Sequence, residues 1–133
     1  LLRPRGWEER QLRVSQVVSL TGREQEEVRH DTHKVDYIKG RVALDMEWNS
    51  KDQTFDRDLY AFRAFFEYQR ISLGVLITRS EELNLLFRKM GLMQKYGAST
   101  THMGKLKPRL LAGRSGGCPV LVFGIRLAIV SDA

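Results

Sequence analysis

The chain has 133 residues, with 22 Lys and Arg against 16 Asp and Glu, a formal charge of +6. That length suits one domain, and a composition that is 42% hydrophobic with 3 prolines excludes a disordered tail. The lone cysteine, Cys118, excludes a disulfide framework and a Cys-rich zinc site, which points to a reducing, cytoplasmic compartment. No apolar run approaches the ~20 residues of a membrane helix, so no membrane association is expected, and the N-terminus lacks a signal-peptide core. Because the chain opens on Leu1 rather than Met, an upstream segment is expected to be missing.

In chain order, Leu12, Val14, Val17 and Val18 make residues 11–18 a first strand. Thr21 followed three positions later by Glu24 is a capping box, so the sequence predicts a helix to about Thr32. Val35 to Ile38, the turn Lys39-Gly40-Arg41 and the alternating stretch Val42 to Trp48 predict a hairpin. Asp56 and Asp58 precede Leu59, Phe62, Phe65 and Phe66, apolar at helical spacing, with the acids placed at the positive end of the helix dipole. Residues 71–78 are nearly all apolar, as in a strand buried on both faces. Ser80 starts a further helix that ends near Gly91, and a polar loop over 96–102 leads to a short basic helix at 106–111. A flexible turn at 113–117 precedes a last strand over 119–129. The order implies an α/β fold, a central mixed β-sheet flanked by α-helices, in a single domain with an N-terminal strand and helix (1–33) ahead of a core (34–125).

The charge is unevenly distributed. No acid occurs from Leu83 to Ser131, where Arg88, Lys89, Lys95, Lys105, Lys107, Arg109, Arg114 and Arg126 supply eight positive charges, so the remainder nets −2. A one-sided basic region suits a polyanion, although a solvated surface accounts for it equally well. The acidic half supplies the second feature. Strand alternation places Leu44, Met46 and Trp48 on one face and Asp45 and Glu47 on the other, with Asp36 across the turn. Taken alone, Asp45 and Glu47 would form the solvent face of an edge strand. With Asp36 beside them, three carboxylates repel unless a cation such as Mg²⁺ lies among them, and a phosphate-binding half then makes metal-assisted phosphodiester hydrolysis the leading chemistry.

The segment from Val35 to Glu47 resembles the active-site hairpin of the BglII/BstYI type II restriction endonucleases, within the PD-(D/E)xK nuclease superfamily. The family pattern, an Asp, eight residues, an acid, one apolar residue and a third catalytic position, falls on Asp36, Asp45 and Glu47. The likeness extends over roughly 34–125, through Lys39-x-Arg41-Val42-Ala43, the Gly113-Arg114 turn and the closing strand from Pro119 to Ile125. It implies a restriction-endonuclease-like core, Mg²⁺ held by Asp36, Asp45 and Glu47, and a homodimer that cuts double-stranded DNA at a palindrome with a GATC core. Two positions depart from the pattern: Glu47 stands where Lys or Gln is usual, as in BamHI-like enzymes, and Asp45 is shorter than the usual Glu. Little of the family's N-terminal helical region is present. Another nuclease of the superfamily, for repair or junctions, and a non-cleaving DNA-binding remnant are the alternatives.

Asn49, Ser50 and Lys51 after the catalytic strand, and Ser99, Thr100, Thr101 and His102 in the second loop, offer groups for base edges. Lys105, Lys107, Arg109 and Arg114 suit phosphates. For each of these residues, a solvated loop side chain is an equally good account. Lys39 could approach the metal or simply serve the turn. His30, His33 and His102 offer nitrogen, but with no cysteine in range zinc is not favoured, and Cys118 is expected to be a buried structural thiol.

Overall fold

The computed structural model describes residues 1–95, 97 and 99–129. Tyr96 and Ala98 of the expected polar loop lie outside the described residues. Five strands form one sheet in the order β1-β2-β3-β4-β5: β1 (Glu8–Ser19), β2 (Gln25–Lys39), β3 (Val42–Glu47), β4 (Leu73–Arg79) and β5 (Val120–Ile125). The first three are antiparallel and the last two run parallel to β3, so the sheet is mixed. Helices α1 (Thr54–Glu67), α2 (Glu82–Lys89) and α3 (Met103–Leu111) complete the α/β fold. Among the described residues no helix is long and apolar enough to cross a membrane.

The N-terminal region corrects one expectation. Residues 21–32 do not form a helix; the Thr21–Glu24 capping box sits at a turn closed by Arg23 N–H donating to the Leu20 carbonyl at 2.8 Å, with Gly22 at φ 79°. From Gln25 the chain is extended and pairs with β1 from Ser19↔Gln25 to Glu8↔Ile38. A helix preference is worth only tenths of a kcal/mol per residue, whereas the strand is held by a long ladder, with two register slips, and by cross-strand bonds such as Ser15 Oγ donating to Glu27 Oε1 at 2.6 Å; tertiary pairing overrides propensity. The last strand is also shorter than expected, stopping at Ile125 before a 3₁₀ turn at Leu127–Ile129.

The turn at Gly40, φ 55°, joins β2 to β3 as expected. The connection from β3 to the parallel β4 is made through α1, whose Phe55, Leu59, Phe62 and Phe65 pack with Val35, Ala43, Ile71 and Leu76, with Leu106 of α3, and with Cys118. Burial of these aromatic and aliphatic side chains is the main stabilising contribution, about 1.5–3 kcal/mol for each large one. Gly74 lets α1 approach closely, because a Cβ there would stand 2.5 Å from Phe62 Cδ2. Cys118 is buried, and burial pushes its thiol pKa up, in keeping with a structural role.

Candidate active site

The pleat of β3 turns Ala43, Asp45 and Glu47 towards α1, so it is the acidic face that is covered. Asp45 is 2% and Glu47 7% exposed, while Met46 and Trp48 stand 48% and 36% exposed on the other side. Residues that a simple inside-outside rule sends to solvent are thus held in the interior, where an ordinary surface role is excluded.

Two further groups reach the same place. Asp58 lies in the buried stripe of α1, three residues after Phe55 and four before Phe62, and is 1% exposed. His33, from the part of β2 expected to lie at a helix end, brings Nε2 to 3.3 Å from Asp58 Oδ1. One ligand atom each from His33, Asp45 and Asp58 can be chosen such that all lie within 4.8 Å of one another. Glu47 lies close enough to Asp58 and Ser50 for each to shift its carboxyl pKa.

Asp36 enters differently. The pairing of β2 with β1 slips by one residue between Val35 and Ile38, a bulge of the kind that re-aims side chains. Asp36 sits in that slip with its side chain exposed, and its main-chain N–H donates to Asp45 Oδ1 at 2.8 Å. Its charge still raises the pKa values of Asp45 and Asp58. The structure therefore groups Asp45 and Glu47 with Asp58, and leaves Asp36 at the rim, outside the His33–Asp45–Asp58 trio. Lys39 turns away: its Nζ donates to the Arg5 carbonyl at 2.7 Å.

Burial pushes the Asp45 carboxyl up to about 7, with repulsion from Asp58 adding to it. Glu47 rises to about 7 for the same two reasons, and Asp58 to about 6, chiefly through burial. His33 is pushed down, first by burial and then by the positive charge of Arg57. Asp45 Oδ2, Asp58 Oδ2 and His33 Nδ1 are buried without a hydrogen-bond partner within the protein. Clustered carboxylates with orphaned oxygens fit a divalent cation, which would supply the counter-charge the fold does not. Arg57, on the exposed side of α1, also lines a surface cleft of about 360 Å³ with Lys51, Gln53 and Thr54.

Sequence reasoning missed His33, Arg57 and Asp58 as members of this site. Asp58 carried a legible signal, an acid within an otherwise apolar helical stripe, that its assignment to the helix dipole obscured. His33 offers a ring nitrogen in the sequence, but a helix to about Thr32 gives no reason to place it beside the hairpin acids.

The two loops expected to read DNA are joined. Lys51 and Thr100 form an antiparallel bridge, Thr101 N–H donates to the Ser50 carbonyl at 2.8 Å and Asp52 N–H to the Ser99 carbonyl at 2.9 Å. Asn49, Lys51 and Ser99 are exposed and Ser50 and Thr100 partly so, but Thr101 and His102 are buried. His102 caps α3, its Nδ1 accepting from Gly104 N–H at 3.2 Å, so neither of these two side chains is presented to solvent as the base-reading expectation requires. Arg109 is largely covered and pairs with Asp56 at 3.0 Å and Asp52 at 3.5 Å, while Arg114 pairs with Asp56 at 2.5 Å. Arg109 ties the loop and α1 to α3, and Arg114 ties α1 to the turn after α3, which leaves Lys107, and in part Lys105, of the four expected phosphate contacts facing solvent without such a pairing.

The family model for restriction endonuclease BglII/BglIII matches residues 1–125 of the chain. A comparison with curated proteins yields no match.

Proposed function

From the premise that the chain belongs to the BglII/BglIII restriction endonuclease family, we propose that it cuts double-stranded DNA by divalent-metal-assisted hydrolysis at a short palindrome with a GATC core, acting as a homodimer. The observation that carries the metal requirement is the burial of Asp45, Glu47 and Asp58 around oxygens that no protein donor satisfies. Asp45 is the central ligand, held in orientation by the Asp36 N–H, and Asp36 closes the site from the rim. Asp45 and Asp36 would hold a divalent cation, taken as Mg²⁺, which when bound would supply a Lewis acid for the phosphoryl oxygen and an acidified water. Glu47, with its pKa near 7, is poised to orient that water and take its proton at neutral pH. Lys51 and Arg57, lining the neighbouring cleft, suit the scissile strand's phosphates, and Lys105 and Lys107 suit flanking ones. Asn49, Ser50, Ser99 and Thr100, on the joined loops, face the base edges.

The test is plasmid digestion with and without Mg²⁺, compared with Asp45→Asn. Discrete fragments that need the metal and vanish in the variant support the reading. A smear instead assigns a less specific nuclease of the superfamily, and a gel shift without cleavage in any divalent ion assigns a DNA-binding remnant; either overturns the restriction activity.

A further inference from the structure

We infer that His33 and Asp58, both outside the hairpin motif, are direct ligands of the cation, and that the resulting nitrogen-and-oxygen set selects a first-row transition ion such as Mn²⁺ over Mg²⁺. The inference rests on the metal-site reading above and concerns which side chains hold the ion. Two observations carry it. The first is geometric: His33 Nε2 and Asp58 Oδ1 stand 3.3 Å apart, close to the ~3 Å between adjacent ligands that each lie about 2.1 Å from one ion, and an Asp45 oxygen completes a cluster within 4.8 Å. The second is unmet bonding capacity. The two acids of the trio each keep one buried oxygen with no partner in the protein, Asp45 Oδ2 and Asp58 Oδ2. A plain His33–Asp58 ion pair would leave both oxygens unsatisfied, and burying such groups without partners is costly.

The ligand chemistry then sets the preference. Mg²⁺ dehydrates reluctantly and favours an all-oxygen octahedron with several waters, whereas an imidazole ligand suits transition ions. The three ligands come from β2, β3 and α1, so the ion would also join the N-terminal hairpin to the core helix. Glu47 stays outside the trio, which leaves it available to water.

The experiment uses the whole chain without DNA. Mn²⁺ is titrated by calorimetry and the bound ion examined by pulsed electron paramagnetic resonance. The expected result is one bound Mn²⁺, with modulation from a directly coordinated imidazole nitrogen, and at least about tenfold tighter binding than Mg²⁺. His33→Gln should lose the nitrogen modulation and most of the Mn²⁺ preference, His30→Gln should change neither, and Asp58→Asn should weaken both ions. Absence of nitrogen modulation in the unaltered protein overturns the inference and needs no variant to fold. A His33→Gln protein that keeps its Mn²⁺ preference also overturns it. Nuclease activity is a separate readout: metal-dependent cleavage that is indifferent to His33 sinks this ligand set alone, and nitrogen-coordinated Mn²⁺ without any cleavage sinks the nuclease reading alone.

Discussion

The main-chain N–H of Asp36 donates to Asp45 Oδ1 across 2.8 Å, so the two acids of the hairpin are joined backbone to side chain. An asparagine at 45 keeps that acceptor and loses the charge. Asp45→Asn should therefore fold as well as the parent while losing on the order of 100-fold or more in cleavage. Asp45→Ala removes the acceptor and leaves a partly buried N–H without its partner, at a cost of about 1–3 kcal/mol. Urea unfolding at pH 5, where the Asp45 carboxyl is protonated in the fold, separates the two; equal stability of both variants would show that the bond contributes nothing.

The metal-free protein should become less stable as pH rises from about 4 to about 7. In the fold Asp45 and Glu47 are pushed up to about 7 and Asp58 to about 6 by burial, against ordinary values near 4 when unfolded. The native state thus binds more protons in that window, and the stability these groups contribute is complete below about 4 and lost as pH climbs through their folded values, by on the order of a few kcal/mol. His33, pushed down, works in the opposite sense: its contribution is present above about 6.5 and lost as pH falls. Three carboxyls outweigh one imidazole. Thermal unfolding from pH 5 to 8, with chelator and then with Mn²⁺, should show a falling midpoint without metal and a metal-induced gain that grows with pH, since the ion displaces protons. A flat metal-free profile would contradict the assignment.

Arg79, fully buried at the end of β4, donates to Asn84 Oδ1 and Thr100 Oγ1, and its guanidinium lies 5.4 Å from the Phe87 ring centroid. It braces the loop whose Thr100 is bridged to Lys51. Arg79→Met, of similar length, should cost about 1–3 kcal/mol in charged hydrogen bonds and release the loop. Amide exchange at Thr101, whose N–H is bonded to Ser50, should then speed by roughly tenfold or more if local opening becomes easier by about 1.4 kcal/mol. Unchanged exchange would show that the bridge stands without Arg79.

Much of the fold was legible because its signals are local. The Gly40 turn, the aromatic stripe of α1, the apolar run of β4 and the burial of Cys118 all follow from spacing within a few residues. The N-terminal region was not, because residues 25–32 read locally as helix and become a strand only by pairing with β1, whose partner residues lie six to eighteen positions away.

The site divides along the same line. The sequence by itself placed Asp36, Asp45 and Glu47 on two strands joined by a short turn, with Asp45 and Glu47 on one face because a strand has a period of two. It also determined the acid-free stretch from Leu83 to Ser131. Only the tertiary structure decided that the acidic face of β3 is the covered one, that Asp36 contributes its amide to Asp45 while its side chain stays at the rim, and that His33 and Asp58 join the cluster. The physical reason is that burial and convergence are properties of surfaces brought together. Asp45 is costly to ionise because α1 lies over it, and no spacing along the chain records which face a helix will cover.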